Sequence, residues 1–172
     1  LRAVDRPFEA PPEWPARVTE RAEARDKAQS ALAMLFPGPS RRDDARYTAA
    51  VIAALTSGLG GRLFDELRDR QSLAYTVHAS PIVRESAGAF AAYIAMSPEK
   101  EDAARCGLLA EFTKLCECAV TDLELERAKT YLLGSWAIRR ESAGSVMGDV
   151  ADAWLFGESL RELAEYEERV RA

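Results

Sequence analysis

Residues 60–80 read GGRLFDELRDRQSLAYTVHAS, and the spacing of the apolar side chains changes once within this stretch. Its first half predicts a short helix over residues 62–69, because the large apolar side chains there share one helical face. These side chains are Leu63, Phe64 and Leu67. From Leu73 to Val77, every second residue is large and apolar or aromatic, which is the period of a β-strand. The stretch therefore predicts a helix that leads into a strand.

A buried strand and a helix are predicted before this stretch. The apolar run over residues 27–36 is closed by the sequence PGP at residues 37–39, and its short length suits a buried strand better than a helix. Asp43 or Asp44 can then cap a helix whose apolar residues recur at three- and four-residue spacing. We expect that helix to end near Gly58.

One further strand and a series of helices are predicted after it. Residues 87–96 form a second β-like run, which we expect to pair antiparallel with the preceding strand. A helix is predicted over residues 97–118, and Thr121 with Glu124 forms a capping box that opens a long helix. Two more helical stretches complete the chain, one reaching residues 156–157 and one over residues 160–171.

The order of these elements predicts an α+β fold, a mostly antiparallel sheet with helices packed on one face, because strands come early and helices late. We expect this fold to form a single domain over residues 22–172. Residues 1–21 are rich in proline, which is typical of an extended arm or inter-domain linker. The chain begins with Leu1 rather than Met, and we interpret it as a segment of a longer protein.

Charge and hydropathy argue against two classes of partner. The 172 residues include 23 basic and 28 acidic side chains, mixed along the chain, with a formal net charge of -5. Such a surface gives no electrostatic footprint for nucleic acid or an anionic membrane. No apolar run approaches the roughly 20 residues that a membrane-spanning helix needs. We therefore predict neither nucleic acid binding nor a membrane span.

A self-contained hydrolase site is not predicted in this chain. A zinc peptidase motif such as H-x-x-E-H needs two histidines at fixed spacing, and the sequence has one, His78. On the predicted strand, His78 and Tyr75 lie on opposite faces, so the histidine would not join a site around that tyrosine. With neither a G-x-S-x-G motif nor a second histidine, a serine or cysteine triad is not predicted either.

The three cysteines, Cys106, Cys116 and Cys118, include no C-x-x-C pair. Two positions apart on a helix, Cys116 and Cys118 would point to nearly opposite sides and could not share a metal ion. We expect all three to be free thiols that are buried for structural reasons.

Residues 60–80 resemble the signature of the C-terminal, metal-free half of insulinase-like (pitrilysin family) zinc peptidases, including the bacterial processing-peptidase-like zinc proteases. There, a glycine or serine pair precedes S/G-R-L-F-x-E-L/I-R, and a short link leads to L-A/G-Y and a strand. The matching residues are Gly61, Arg62, Leu63, Phe64, Glu66, Leu67, Arg68, Leu73, Ala74 and Tyr75. The resemblance extends over residues 22–170. Because these domains usually continue into a closing strand, the chain is expected to be C-terminally truncated relative to the family.

The resemblance implies a function shared between two halves. In that family the other half carries H-x-x-E-H and binds the zinc, so this chain is expected to hold no metal ligand and no catalytic residue of its own. Arg68 and Tyr75 match the arginine and tyrosine that contact the peptide substrate beside the scissile bond. Arg62 and Arg70 are expected to be surface charge or helix capping.

The implied partners are a peptide substrate and an H-x-x-E-H half-domain, in the same polypeptide or as a separate subunit, and a homodimer is also open. The sequence does not decide between cytoplasm and periplasm.

The same fold leaves a second function open: a catalytically degenerate structural or peptide-binding subunit, such as the scaffold subunits of respiratory complexes that resemble processing peptidases. The presence of both Arg68 and Tyr75 favours the peptidase half. A free-standing interaction domain is a weaker third alternative.

Overall fold

The computed structural model describes residues 13–57, 60–156 and 159–172. The strands are β1 Ser30–Pro37, β2 Thr76–Val83 and β3 Gly88–Met96. The α-helices are α1 Ala45–Thr56, α2 Glu101–Glu117, α3 Asp122–Arg139, α4 Ala143–Phe156, α5 Arg161–Ala164 and α6 Tyr166–Arg171. A π-helix, Phe64–Arg70, precedes β2, and a 3-10 turn, Pro98–Lys100, precedes α2. The elements follow one another in the predicted order.

The sheet is antiparallel, with the strand order β1-β3-β2. In one row of paired residues across the sheet, Ala33 of β1 lies opposite Tyr93 of β3, and Tyr93 lies opposite His78 of β2. Along β1 and β2 buried or half-buried residues alternate with exposed ones, because helices cover one face and leave the other open. This arrangement confirms the predicted α+β fold.

Two apolar clusters hold the helices in place. In the first, the π-helix and α2 pack on the covered face of the sheet, with Leu67, Ile94 and Leu108 fully buried. In the second, Val51 of α1 packs with Ala128 of α3 and with α6. Burying a side chain the size of leucine stabilises the fold by about 2 kcal/mol. The first cluster is therefore what fixes the π-helix against the sheet.

The outer edge of β2 is closed by α1. The hydroxyl of Ser57, directly after α1, accepts a hydrogen bond from the Ala79 N–H at 2.7 Å and donates one to the Ala79 carbonyl at 2.9 Å. Both polar groups of that edge residue are therefore satisfied, which blocks strand pairing at this point of the edge.

Helix α4 exposes several large apolar side chains. Only Ala153 is buried, whereas Met147 and Trp154 are 70% and 75% exposed. Its inner side is held by ion pairs: Asp152 contacts Arg41 at 2.9 Å, and Asp149 lies 3.5 Å from Arg139 and 3.7 Å from Arg140. This helix is therefore attached to the domain mainly by charge. None of the helices in the described ranges is both long and apolar enough to cross a bilayer.

Three predictions about these elements were wrong. The strand expected to be buried, β1, lies at an edge of the described sheet, and its residues are alternately half-buried and exposed. The strand expected from Leu73 begins at Thr76, because Leu73 packs into the core beneath the sheet instead. The same strand continues through Pro81, which is tolerated because β2 is an edge strand and needs no N–H on its outer side. The charged helix predicted over residues 160–171 is two short helices, α5 and α6.

The predicted burial of the cysteines was also wrong. All three thiols are free, as predicted, but exposed. The buried stripe of α2 runs through Ala104, Leu108 and Glu111, at helical spacing, and Cys106 and Cys116 lie off that stripe.

Part of the predicted arm (residues 1–12) and residues 58 and 157, near which two helices were predicted to end, lie outside the described residues. Helix α1 ends at Thr56, close to the predicted position.

Candidate functional site

Arg68 lies on the outer side of the π-helix. Its neighbour Leu67 is fully buried, and this turns the Arg68 side chain towards solvent. The guanidinium carbon lies 4.7 Å from the centroid of the Phe64 ring, a cation–π contact that orients it without neutralising it. No carboxylate in the described part of the chain forms an ion pair with Arg68. Its N–H donors are therefore free to bind an oxygen ligand.

The link after the π-helix turns sharply at Ser72, which has a φ of 52°. Its N–H donates to the Arg68 carbonyl at 3.1 Å, and the N–H of Leu73 donates to the Leu67 carbonyl at 2.8 Å. The π-helix therefore ends in a left-handed turn. Each of these two hydrogen bonds spans one residue more than at the end of an α-helix, because the helix is π-wound. A serine in this conformation costs about 1 kcal/mol, so the surrounding contacts must hold it there.

Tyr75 stands where the link joins the sheet. Its N–H donates to the Ala95 carbonyl at 2.8 Å, which extends the pairing between β2 and β3 by one residue. The side chain is 54% exposed, so the phenol is available to a ligand. Arg68 and Tyr75 thus present their hydrogen-bond donors at the two ends of one link, residues 68–75. The backbone of this link is hydrogen-bonded to the π-helix and to the sheet.

His78 lies away from this link. It is exposed, and its ring centroid is 5.2 Å from that of Tyr93, its cross-strand neighbour on the open face of the sheet. Val77 points to the opposite, covered face of the sheet and is buried there. By strand alternation, Tyr75 lies on the same side as Val77 and not on the side of His78. Within the described ranges, no three His, Cys, Asp or Glu side chains are grouped to hold a metal ion.

Arg62 has a role that the sequence did not reveal. It makes two hydrogen bonds of 2.9 Å to the Glu124 carboxylate, which also accepts from the Thr121 N–H at 3.0 Å. The predicted capping box of α3 is confirmed, but the expectation that Arg62 is only surface charge or a helix cap was wrong. The pair ties the start of the π-helix to the start of α3. No sequence signal links residues so far apart.

The Arg62–Glu124 pair makes stability depend on pH. Hydrogen bonds from Arg62, then from Thr121, lower the pKa of Glu124 from 4.5 to about 2. Because the folded pKa lies below the unfolded value, the stabilisation is complete above about pH 4.5 and is lost as the pH falls towards 2. A Glu124→Gln variant should be less stable by about 1 kcal/mol at pH 7, since the pair is partly screened by water.

The difference between Glu124→Gln and the unchanged chain should vanish between pH 4.5 and 2, as followed by urea unfolding. Glu126→Gln, an exposed position on the same helix, is the control and should keep the original profile. A stability difference that stays constant across this pH range would show that the ionised pair is not its source.

A surface groove of about 590 Å³ lies between α1 and α3, at the Arg62 end of the π-helix. Leu55, Ala128 and Tyr131 are part of its lining. Neither Arg68 nor Tyr75 lines this groove, so its shape does not define the candidate site. The candidate site is defined instead by the exposed hydrogen-bond donors of Arg68 and Tyr75.

The architecture is an α+β fold that solved structures share. The solved peptidase M16 inactive domain from Pseudomonas fluorescens matches 84% of this chain and 35% of its own, with a TM-score of 0.76 and 20% identity. A chain of complex III2 from Candida albicans matches 86% of this chain and 37% of its own, with a TM-score of 0.74 and 18% identity. At these identities the likeness concerns the fold alone.

The sequence then identifies the family. The chain belongs to the peptidase M16 inactive domains, because the sequence profile of that family matches residues 3–132. A protein of Streptomyces coelicolor described as an uncharacterized zinc protease is 29% identical over 138 residues. That match covers 79% of this chain and 30% of the relative, so the chain spans less than a third of that relative's length. The resemblance to the metal-free half of insulinase-like zinc peptidases is confirmed.

Proposed function

We propose that this chain is the substrate-contacting half of a zinc metalloendopeptidase, completed by a partner half that carries H-x-x-E-H. In this proposal Arg68 and Tyr75 bind the peptide near the scissile bond. The observation that carries it is the state of Arg68, which is exposed, oriented by Phe64 and not paired with a described carboxylate. A surface arginine serving only stability or solubility would gain more by pairing with an acidic neighbour, as Arg70 does with Glu66.

The two side chains suit the chemistry of peptide hydrolysis. Negative charge develops on the scissile carbonyl oxygen in the transition state, and hydrogen-bond donors fixed in a water-poor cavity stabilise it. Zinc in the partner half would polarise the same carbonyl. A guanidinium offers several donors in one plane, and a phenol offers one donor on a stiff ring. Both groups can also hold the peptide backbone before reaction.

The proposal extends to the arrangement of the longer protein. We expect residues 22–172 to act as one domain and residues 1–21 as an arm or linker, with the metal-bearing half in the same polypeptide or on a separate subunit. The length of the Streptomyces coelicolor relative supports a larger assembly, because about 70% of it lies outside the match. For the compartment, the cytoplasm and the periplasm stay as two alternative predictions.

A second function, a structural subunit without catalysis, is favoured by the fold shared with a chain of complex III2. In that case Arg68 and Tyr75 would be surface residues with no effect on turnover. The H-x-x-E-H sequence in the partner half separates the two functions, because a partner without it could not bind zinc in this way.

Reconstitution tests the proposal directly. This chain alone, the H-x-x-E-H half alone and their mixture would be assayed for bound zinc and for cleavage of a quenched peptide. We expect zinc in the partner half and in the mixture, and efficient cleavage only in the mixture. A zinc-loaded mixture that cleaves no faster than the partner half alone would favour the structural subunit.

A further inference from the structure

Lys100, in the 3-10 turn after β3, reaches the link between the two candidate substrate contacts. Its ammonium donates a hydrogen bond of 2.7 Å to the Ser72 carbonyl. Ser72 in turn donates its N–H to the Arg68 carbonyl. We propose that Lys100 is a positioning residue, which holds Arg68 in place by fixing the backbone of Ser72. This inference rests on the proposed function of Arg68.

The Lys100 contact acts on the exposed part of the link, between two ends that are fixed by the core and by the sheet. Leu67 is buried in the core at one end, and the Tyr75 N–H is bound to the sheet at the other. Residues 68–72 between them are exposed, and Ser72 has a left-handed backbone that serine adopts only at a cost. Lys100 therefore adds a contact between this exposed part of the link and the end of β3.

The positive charge of Lys100 makes this exposed hydrogen bond stronger than one from a neutral donor. A hydrogen bond from an ammonium is stronger than one between neutral groups. No described carboxylate forms an ion pair with Lys100 that would draw it away from the link.

Gly107 of α2 shows how closely the same link is packed. A Cβ atom at this position would come within 2.8 Å of Leu67 Cδ2 and 3.5 Å of Leu73 Cδ1. Helix α2 therefore supports the link from below, and Lys100 holds it at the surface. Together they leave Arg68 little freedom except in its side chain.

We expect Lys100→Met to lower kcat of the reconstituted peptidase about tenfold, because a misplacement of roughly 1 Å costs up to a hundredfold. KM and zinc content should change little, and Lys100→Arg should restore most of the activity. The control is Lys129→Met, since Lys129 also donates to a backbone carbonyl, that of Arg171 at 2.6 Å, but on another part of the surface. That variant should keep full activity.

A double-mutant cycle separates positioning from a general effect on stability. If Lys100 acts through Arg68, Lys100→Met should lower kcat tenfold in the unchanged chain and leave it unaltered in Arg68→Ala. A tenfold loss in both backgrounds, or an equal loss in Lys129→Met, would overturn the positioning role. No loss in Lys100→Met while Arg68→Ala is impaired would overturn it as well, with the proposed function intact. If Arg68→Ala itself has full activity, the proposed function and this inference both fail.

Discussion

Replacing Arg68 with alanine is expected to lower kcat of the peptidase reconstituted with its H-x-x-E-H half about a hundredfold, with KM changed less. The side chain is exposed, and its guanidinium is turned outwards over the Phe64 ring. Its removal leaves the core untouched, so the loss should appear in turnover and not in folding. Steady-state hydrolysis of a quenched peptide, with zinc content and thermal unfolding measured on the same sample, checks this.

Arg70→Ala is the matched control for that experiment. It removes the same kind of side chain from the same π-helix, where it is exposed and pairs with Glu66 at 3.2 Å. We expect activity within a factor of two of the unchanged chain, since an exposed pair of this kind contributes less than 1 kcal/mol. Equal losses in Arg68→Ala and Arg70→Ala would point to the overall charge of this surface and not to a specific contact.

Replacing Arg41 with alanine is expected to lower the free energy of unfolding by about 2–3 kcal/mol. The Arg41 side chain is only 10% exposed, and it contacts Glu162 at 2.8 Å and Asp152 at 2.9 Å. The carboxylate of Glu162 is 12% exposed, and it would keep only Arg46, at 3.0 Å, as its partner. A buried charge that loses one of two partners destabilises the fold. Urea unfolding measures this directly, and Tm should fall by about 4–12 °C.

Arg42 provides the neighbouring control for Arg41. It contacts Glu85 at 2.9 Å, but both side chains are about half exposed, at 58% and 48%. Arg42→Ala should therefore change the free energy of unfolding by less than about 1 kcal/mol. If the two variants are equally stable, the buried cluster around Glu162 contributes no more than an exposed pair.

The fold was predictable where the signal is local. The capping box of Thr121 and Glu124 lies within four residues, and α3 begins where it predicts. The β-like run over residues 87–96 likewise predicted β3. The start of β2 was not predictable from alternation, because Leu73 fits a strand pattern equally well whether it faces the sheet or the core. The packing of Leu73 against the buried cluster under the sheet is a tertiary contact that the local pattern does not contain.

The candidate site was predictable only through the family resemblance. An arginine after a buried leucine and a tyrosine before a strand are ordinary features of many domains. The contacts that support them join residues distant in the chain: Lys100 with Ser72 across 28 positions, and Arg62 with Glu124 across 62. Pairings at such separations are decided by how the elements pack, and a single sequence does not record them.

Two kinds of contact hold the parts of this domain together, apolar contacts and ion pairs, and α4 depends mainly on the ion pairs. The sheet and the π-helix are held by buried apolar contacts, which salt does not weaken. Helix α4 is held mainly through Asp149 and Asp152, and partly exposed ion pairs of this kind are screened as ionic strength rises. Raising the salt concentration should therefore loosen α4 before the Arg68–Tyr75 link changes its geometry, so ionic strength acts on one part of the domain more than on the other.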